Sequence, residues 1–181
     1  VECIVLLFLH GNVHLSFYAS GFSLTNEKGS QAGILLILSS VLFNLINVWM
    51  EEGVFRGLFT KILEGLSYRK SLFFIAFLFG IWHLVMPLRD YLQGELSLVN
   101  LIVMGIGYVI LAGMMSIKWS LFYKMTGSLW FGLGDHLFNN LASNLVHVVS
   151  NSEADSLQIV RILLWQLLSF AIVLWGYQKR N

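Results

Sequence analysis

Long apolar runs alternate with short polar segments along almost the whole chain. Runs of this length can cross a bilayer as helices. They lie at about Val1–Ser20, Gln31–Leu66, Ser71–Met86, Leu96–Ile117, Gly127–Val149 and Leu157–Tyr177. The pattern predicts an all-α fold: a polytopic transmembrane helical bundle of about six helices, in one domain over residues 1–181. Polar residues such as His10 and His14 interrupt the first run, so we expect a partial or truncated span there, with both histidines in packing or interfacial roles.

Proline, glycine and charged segments predict where the helices end. We expect Pro87 to stop the third helix and Arg89–Glu95 to form a loop. The segment Lys118–Thr126 is expected to lead from the fourth helix into the fifth. Gly21–Ser30 and Asn151–Ser156 are polar enough to form loops. Three glycines of the fourth run predict close helix packing: Gly105, Gly107 and Gly113.

Polar side chains recur at helical spacing inside two of the runs. Asn44, Asn47 and Glu51 lie at i, i+3 and i+7, so they share one face of the second helix. A longer polar stripe is predicted on the fifth helix, at His136, Asn140, Ser143, Asn144 and His147. Both stripes should face the centre of the bundle, since polar groups are costly against lipid.

Two adjacent carboxylates, Glu51 and Glu52, stand at the end of an otherwise uncharged stretch. Glu52 and Arg56 are four residues apart, so they share a helix face and can form a structural ion pair. Glu51 points about 100° away and needs a partner from another helix.

Composition agrees with a membrane protein and excludes several other classes. Hydrophobic residues make up 57% of the chain and charged residues 12%, with a mean hydropathy of +0.74. The net charge of +1 gives no reason to expect nucleic-acid binding. The single cysteine, Cys3, excludes an internal disulfide and a zinc site built from cysteines. The expected partner is therefore the lipid bilayer.

The distribution of lysine and arginine predicts an orientation. Basic residues mark three regions that should face the cytoplasm under the positive-inside rule. They are Lys61, Arg69, Lys70, Lys118, Lys124, Lys179 and Arg180. The regions between them carry Glu27/Lys28, Arg89/Asp90/Glu95 and Glu153/Asp155. Every predicted helix then crosses in alternation.

The same polar residues are predicted to lie at a common depth in the membrane. At 1.5 Å per residue, Glu51 is ~22 Å from the cytoplasmic edge of its helix, His83 ~18 Å, His136 ~13 Å and Asn140 ~20 Å. Three separate helices thus bring their costliest polar residues to one level, within the uncertainty of the helix ends.

Three short motifs follow one another in the sequence: Glu51-Glu52-xxx-Arg56, Phe79-xxx-His83 and His136-xxx-Asn140. In that order they resemble the signature of the type II CAAX prenyl endopeptidases, also called the CPBP or Abi family. The resemblance covers about residues 33–149. It implies an intramembrane protease that cleaves a peptide or lipidated protein substrate, in CAAX-type processing or in bacteriocin or signal-peptide processing. It also implies that Glu51, Glu52, His83, His136 and Asn140 are the functional positions. A bacterial plasma membrane is the expected location, with the active site open to the cytoplasmic side.

The chemistry of these residues fits hydrolysis by water. No serine or cysteine is placed as a convincing nucleophile, so water must attack the peptide carbonyl. Glu51 is the candidate base, and His83 would hold and polarise the same water. His136 and Asn140, one turn apart, could donate hydrogen bonds to the developing oxyanion. Glu52 and Arg56 would orient the site and neutralise each other's charge rather than react.

The role of a metal stays open. Glu51, His83 and His136 form a His₂Glu set, which is a known ligand pattern for catalytic zinc. However, no His-Glu-x-x-His helix presets two ligands, and Asn140 suits an oxyanion donor better than a metal ligand. The cofactor is therefore either none or a divalent metal such as zinc.

Other functions explain the sequence less well. Gly132-Leu133-Gly134-Asp135 matches the GxGD string of intramembrane aspartyl proteases, but Asp90 and Asp155 lie in predicted outer loops and supply no second buried aspartate. A non-enzymatic immunity or scaffold protein of the same family is the main alternative, although intact motifs favour catalysis. A transporter is disfavoured because no inverted repeat is visible. The tryptophans, Trp82 among them, are interpreted as packing and interface anchors.

Overall fold

The computed structural model describes residues 12–17, 34–150 and 153–180, together with positions 3 and 6. Helices dominate these residues, and four helical stretches are long and apolar enough to cross a membrane. They are Ile34–Ile62, Tyr68–Leu92, Leu98–Thr126 and Gln158–Arg180. With the shorter helix Trp130–Leu145 they make five helical stretches within the described residues, so an all-α fold fits and the predicted count of about six is not confirmed. Most of the predicted first span, including His10, and the predicted loop at 21–30 lie outside the described residues.

The elements follow one another in a simple order. Helix α1 is Ile34–Glu52, and it continues into a π-helical segment, Gly53–Leu58, and a short helix α2, Phe59–Ile62. The remaining helices and strands are β1 (Val13–Phe17), α3 (Tyr68–Trp82), α4 (Val85–Leu92), α5 (Leu98–Thr126), α6 (Trp130–Leu145), β2 (Val146–Ser150), β3 (Glu153–Ala154) and α7 (Gln158–Arg180).

The chain divides into two compact units. The first unit comprises Val1–Met50 and Gly134–Leu167, and the second comprises Glu51–Leu133 and Leu168–Asn181. That the whole chain acts as one protease domain stays a prediction.

The core of the second unit lies where α3 packs against α5. A Cβ built on Gly80 would lie 2.7 Å from the backbone oxygen of Val109, so only glycine permits this approach. On α5, a Cβ at Gly113 would meet the oxygen of Ala76 at 3.4 Å, and one at Gly105 would meet a methyl group of Leu84 at 3.3 Å. The buried core next to this contact consists of Phe55, Ile75, Phe79, Ala112 and Trp119.

Close packing was thus predicted correctly for Gly105 and Gly113. It was wrong for Gly107, where an added Cβ would meet no atom within 4 Å. The sequence analysis also missed Gly80, whose contact with the backbone of Val109 is the closest of these approaches.

The position of the break between α3 and α4 differs from the prediction. Helix α3 ends at Trp82, before the proline, and Pro87 is the third residue of α4. The N–H groups of the first turn have no partner within their own helix, so proline is tolerated there. As a result, most of the predicted loop Arg89–Glu95 is helical or turn.

Helix α5 is longer than predicted. Ser97 caps its start, with its side chain accepting a hydrogen bond from the backbone N–H of Asn100 at 3.2 Å. Gly127 ends it in the left-handed conformation, at φ 65°. The predicted link Lys118–Thr126 is therefore helical. Lys118 is fully buried and donates a hydrogen bond to Ser169 at 3.1 Å, so its assignment to a cytoplasmic loop was wrong.

In the first unit, asparagines join α1 to α6. Asn44 is fully buried, and Asn144 donates a hydrogen bond from its amide to Asn44 Oδ1 at 3.1 Å. Asn44 in turn donates to the backbone oxygen of Ser40 at 2.8 Å. These two asparagines therefore hold helices together.

A small antiparallel sheet occupies the first unit, in the order β1-β2-β3. Its register pairs Val13 with Ser150 and Phe17 with Val146, while Val149 pairs with Ala154. The predicted helix to Val149 is therefore wrong beyond Leu145, where β2 begins. Part of the predicted first span is likewise a strand, with an exposed His14.

Candidate active site

The candidate site is built from the end of α1 and the π-helical segment that follows it. Glu51 and Glu52, the last two residues of α1, are 4% and 1% exposed. Glycines at 53 and 57 lie within the π-helical segment, and a Cβ at either would meet no atom within 4 Å. Packing thus does not require these glycines, but they weaken the α-helix locally. Such π-helical turns occur frequently at functional sites.

Glu51 has a partner from another helix, as the sequence predicts. The indole N–H of Trp82, the last residue of α3, donates a hydrogen bond to Glu51 Oε1 at 3.0 Å. Trp82 was interpreted from the sequence as a packing or interface anchor. The structure adds a polar role to this residue.

Glu52 points to a different set of neighbours. Arg56 Nη1 lies 3.3 Å from Glu52 Oε1, and both side chains are 1% exposed, which confirms the predicted ion pair. The Arg56 guanidinium also lies over two aromatic rings, 4.7 Å from the centroid of Phe79 and 5.1 Å from that of Trp119. Cation–π contacts of this kind help to hold a desolvated cation.

Close packing by α6 completes the surroundings of Glu52. A Cβ added at Gly132 would lie 3.4 Å from Glu52 Oε2 and 3.4 Å from the Cβ of Trp119. An alanine would just contact both atoms, whereas a side chain larger than alanine would have to displace the carboxylate oxygen or the indole. Gly132 therefore contributes to this part of the site, although it was identified only as part of a GxGD string.

His83 is held by its own helix. Its Nδ1 lies 2.8 Å from the backbone oxygen of Phe79. Because a carbonyl only accepts, Nδ1 must carry the proton in this bond, and Nε2 of the neutral ring is then an acceptor. The Phe79 ring lies 4.5 Å from the His83 ring and edge-on to Phe55, at 4.9 Å. Phe79 thus supports both His83 and Arg56.

The third motif lies on α6, in the part of this helix that belongs to the first unit. His136 is 3% exposed, and Asn140 is half-buried one turn later. Residues four apart share a helix face, so both side chains can serve one point. Their predicted role as oxyanion donors stays a prediction.

Asp135 does not share that face. It accepts a hydrogen bond from Asn139 Nδ2 at 3.1 Å, and Trp165 Nε1 donates to Asn139 Oδ1 at 2.9 Å. Asn139 is 5% exposed. Asp135 therefore takes part in a network that links α6 with α7. The sequence analysis did not identify Asn139 or Trp165 as members of this network.

His147 leaves the predicted polar stripe because it lies on β2. Its Nδ1 pairs with Asp155 Oδ2 at 2.5 Å, and the backbone N–H of Val148 donates to Asp155 Oδ1 at 3.0 Å. Arg161 Nη2 lies 3.5 Å from the same oxygen. Burial opposes the ionisation of Asp155, but the hydrogen bonds and positive charges around it outweigh this effect and lower its pKa. These contacts favour a structural role for His147.

The three residues of the predicted His₂Glu set, Glu51, His83 and His136, are divided between the two units. Within the part of the chain that the structure describes, no three His, Cys, Asp or Glu side chains are grouped so that they could hold a metal ion. The role of a metal therefore stays open.

The structure brings Glu51, Glu52, Arg56 and His83 into the second unit, with Phe79, Trp82 and Trp119 as neighbours that the sequence analysis did not assign to the site. His136 and Asn140 belong to the first unit. A possible sequence signal for Trp82 was its place directly before His83, but the direction of its N–H depends on how α3 is rotated.

A helical protein with four candidate membrane spans and buried carboxylates belongs to the class of polytopic membrane proteins with an internal polar site. Comparison with family models is more specific: the type II CAAX prenyl endopeptidase Rce1-like model matches residues 33–142. This is more than half of the chain, so the protein belongs to that family of membrane proteases. Neither a curated protein nor a solved structure matches the chain.

Proposed function

We propose that this protein is an intramembrane endopeptidase in which Glu51 and His83 activate a water molecule. Its substrate would be a membrane-associated peptide or a lipidated protein. The observation that carries the proposal is the buried Glu51 at the end of α1, within a candidate span, held by Trp82, the neighbour of His83. Membership of a protease family supports the same class of reaction.

In the proposed reaction, the oxygen of water forms a bond to the peptide carbonyl carbon while Glu51 accepts one proton of that water. His83 Nε2 accepts a hydrogen bond from the same water, which its tautomer allows. When the C–N bond breaks, the proton on Glu51 passes to the leaving amine. Atoms and charge then balance without a further reagent.

His136 and Asn140 are proposed to donate hydrogen bonds to the oxygen that becomes negative. Their spacing on α6 supports this assignment. Donors placed for an oxyanion rather than for a ground-state carbonyl lower the barrier most. Glu52, paired with Arg56, is proposed to orient the site rather than to exchange protons.

We further propose that the site opens to the cytoplasmic side of a bacterial plasma membrane. Contacts within the second unit support a common side for its basic helix ends. Lys124 Nζ lies 5.1 Å from the ring centroid of Tyr68, at the start of α3. Arg180, at the end of α7, donates to the backbone oxygen of Met125 at 3.5 Å. Lys118 is buried and therefore no longer counts among the basic residues that predict the orientation. The remaining basic residues predict the same orientation without it.

The test is a cleavage assay in proteoliposomes with farnesylated and unmodified versions of one peptide. Glu51→Gln keeps size but removes the base, so turnover should be abolished while insertion is retained. Asn140→Ala should lower kcat by about 10²–10³-fold, as expected for one oxyanion donor. Asp135→Asn is the matched control and should cleave at nearly the wild-type rate.

Two results would contradict the proposal. If Asp135→Asn is inactive and Glu51→Gln is active, the GxGD string is the true catalytic signal. In the second, the wild-type protein and Glu51→Gln are both inactive on all peptides but give cells the same immunity. The protein would then have a non-enzymatic role.

A further inference from the structure

Trp82 makes a contact that a tryptophan serving only as an interface anchor would not need. Its side chain is 47% exposed, yet its N–H is directed to a carboxylate that is 4% exposed. The indole nitrogen is a donor and has no acceptor role, so the direction of this bond is fixed. A hydrogen bond to an ionised acceptor is also roughly twice as strong as one between neutral groups.

We propose that Trp82 is a positioning residue that fixes the orientation of the Glu51 carboxylate. This inference rests on the proposed function, in which Glu51 is the base. The bond from Nε1 to Oε1 restrains rotation of the carboxylate about its last torsion angle, which is otherwise soft. A base held in one orientation spends more of its time aligned with the water that it must deprotonate.

The end of α3 would then position two groups at once. Trp82 orients Glu51, and the next residue, His83, is fixed by its bond to the backbone oxygen of Phe79. Phe79 itself is 1% exposed and is packed between Phe55 and Trp119. Through the end of α3, this aromatic cluster thus restrains both the base, Glu51, and the residue that holds the water, His83.

The experiment replaces the donor without changing the shape of the side chain. Trp82 is substituted by benzothienylalanine, in which sulfur replaces the indole N–H, and in parallel by phenylalanine. We expect both variants to lower kcat by about 10- to 100-fold, the effect of losing one hydrogen bond to a charged group. KM should stay within about twofold, because positioning of the base acts on the chemical step.

Trp175→Phe is the matched control. Trp175 lies in the same unit, is 59% exposed and contacts the Lys179 ammonium at 4.0 Å from its ring centroid, far along the chain from the motifs. Its substitution should leave kcat and KM unchanged. Melting temperatures of all variants are measured in the same detergent, so that a loss of folding is distinguished from a loss of turnover.

A benzothienylalanine variant with the wild-type kcat would overturn the inference. A change in KM alone would also overturn it, because Trp82 would then contact substrate instead of orienting Glu51. Either result leaves the proposed function intact as long as Glu51→Gln is inactive. Conversely, an active Glu51→Gln protein refutes the proposed function itself, whatever the Trp82 variants do.

Discussion

The buried pair Glu52–Arg56 gives the sharpest prediction about stability. Arg56→Met removes the cation and leaves Glu52, 1% exposed, without it. At the observed 3.3 Å separation, two unit charges attract by about 5 kcal/mol with an effective dielectric constant near 20. Breaking one side of a buried pair typically costs about 3–5 kcal/mol, in agreement with that figure.

The double variant should behave differently from either single one. Glu52→Gln together with Arg56→Met removes both charges of the pair, so neither partner is left as an uncompensated ion. The thioether introduced by Arg56→Met would still contact the rings of Phe79 and Trp119, which the guanidinium covers now. We therefore expect the double variant to lie within about 1 kcal/mol of the wild-type protein.

The assay is reversible unfolding in mixed micelles, followed by tryptophan fluorescence, on the wild-type protein, both single variants and the double variant. The coupling free energy from this cycle should be at least about 2 kcal/mol, as for residues in direct contact. Purely additive effects would refute the reasoning, because they would mean that the two charges do not stabilise each other.

Three further predictions concern topology, metal dependence and pH. In a Cys3→Ser background, a membrane-impermeant thiol reagent on intact cells should label Ser156→Cys but not Ser67→Cys, and the opposite pattern would reverse the orientation. A preparation treated with chelator should retain its turnover, whereas stoichiometric zinc and full rescue by zinc would establish a metalloprotease. The lowered pKa of Asp155 means that its contribution to stability is present at neutral pH and is lost as the pH falls below about 4. Melting curves of the wild-type protein and Asp155→Asn should therefore converge on acidification, and a constant gap between them would contradict the assignment.

Four of the predicted membrane spans correspond to candidate spans in the described residues, because apolar runs of this length have few alternatives. Their ends could not be predicted equally well. The segment around Pro87 shows the reason. The proline predicted the end of a helix, but the helix breaks earlier, at His83 and Leu84, and Pro87 lies in the first turn of the helix that follows. Local sequence indicates that a break is near without fixing which residue makes it.

The end of α6 illustrates a conflict between two periodicities. His147 continues the helical spacing of the polar stripe, so the sequence analysis extended the helix through it. However, Val146, Val148 and Val149 are β-branched and favour a strand. Pairing with β1, which is distant in sequence, decides between the two, and a single-sequence pattern does not contain that information.

Lys118 and Trp82 show what remains hidden at the level of the site. A lysine at the end of an apolar run predicts a loop, but a hydrogen bond to Ser169 from another helix allows it to be buried. Likewise, the bond from Trp82 to Glu51 depends on the rotation of α3 about its own axis. Motif spacing could identify Glu51, Glu52 and His83, but not the side chains that hold them.

The different partners of the two adjacent glutamates provide a physical reason for assigning them different roles. A base must alternate between an ionised and a protonated form. Trp82 supplies Glu51 with a neutral donor, which fixes the carboxylate. The charge of Arg56 also acts on Glu51, but its close contact, at 3.3 Å, is with Glu52. Glu52 faces a guanidinium, and this buried ion pair would be lost each time Glu52 took up a proton. If Glu52 were the base, the cation would act against the reaction. The double variant should therefore retain measurable turnover, while Glu51→Gln, which leaves the Glu52–Arg56 pair intact, should not.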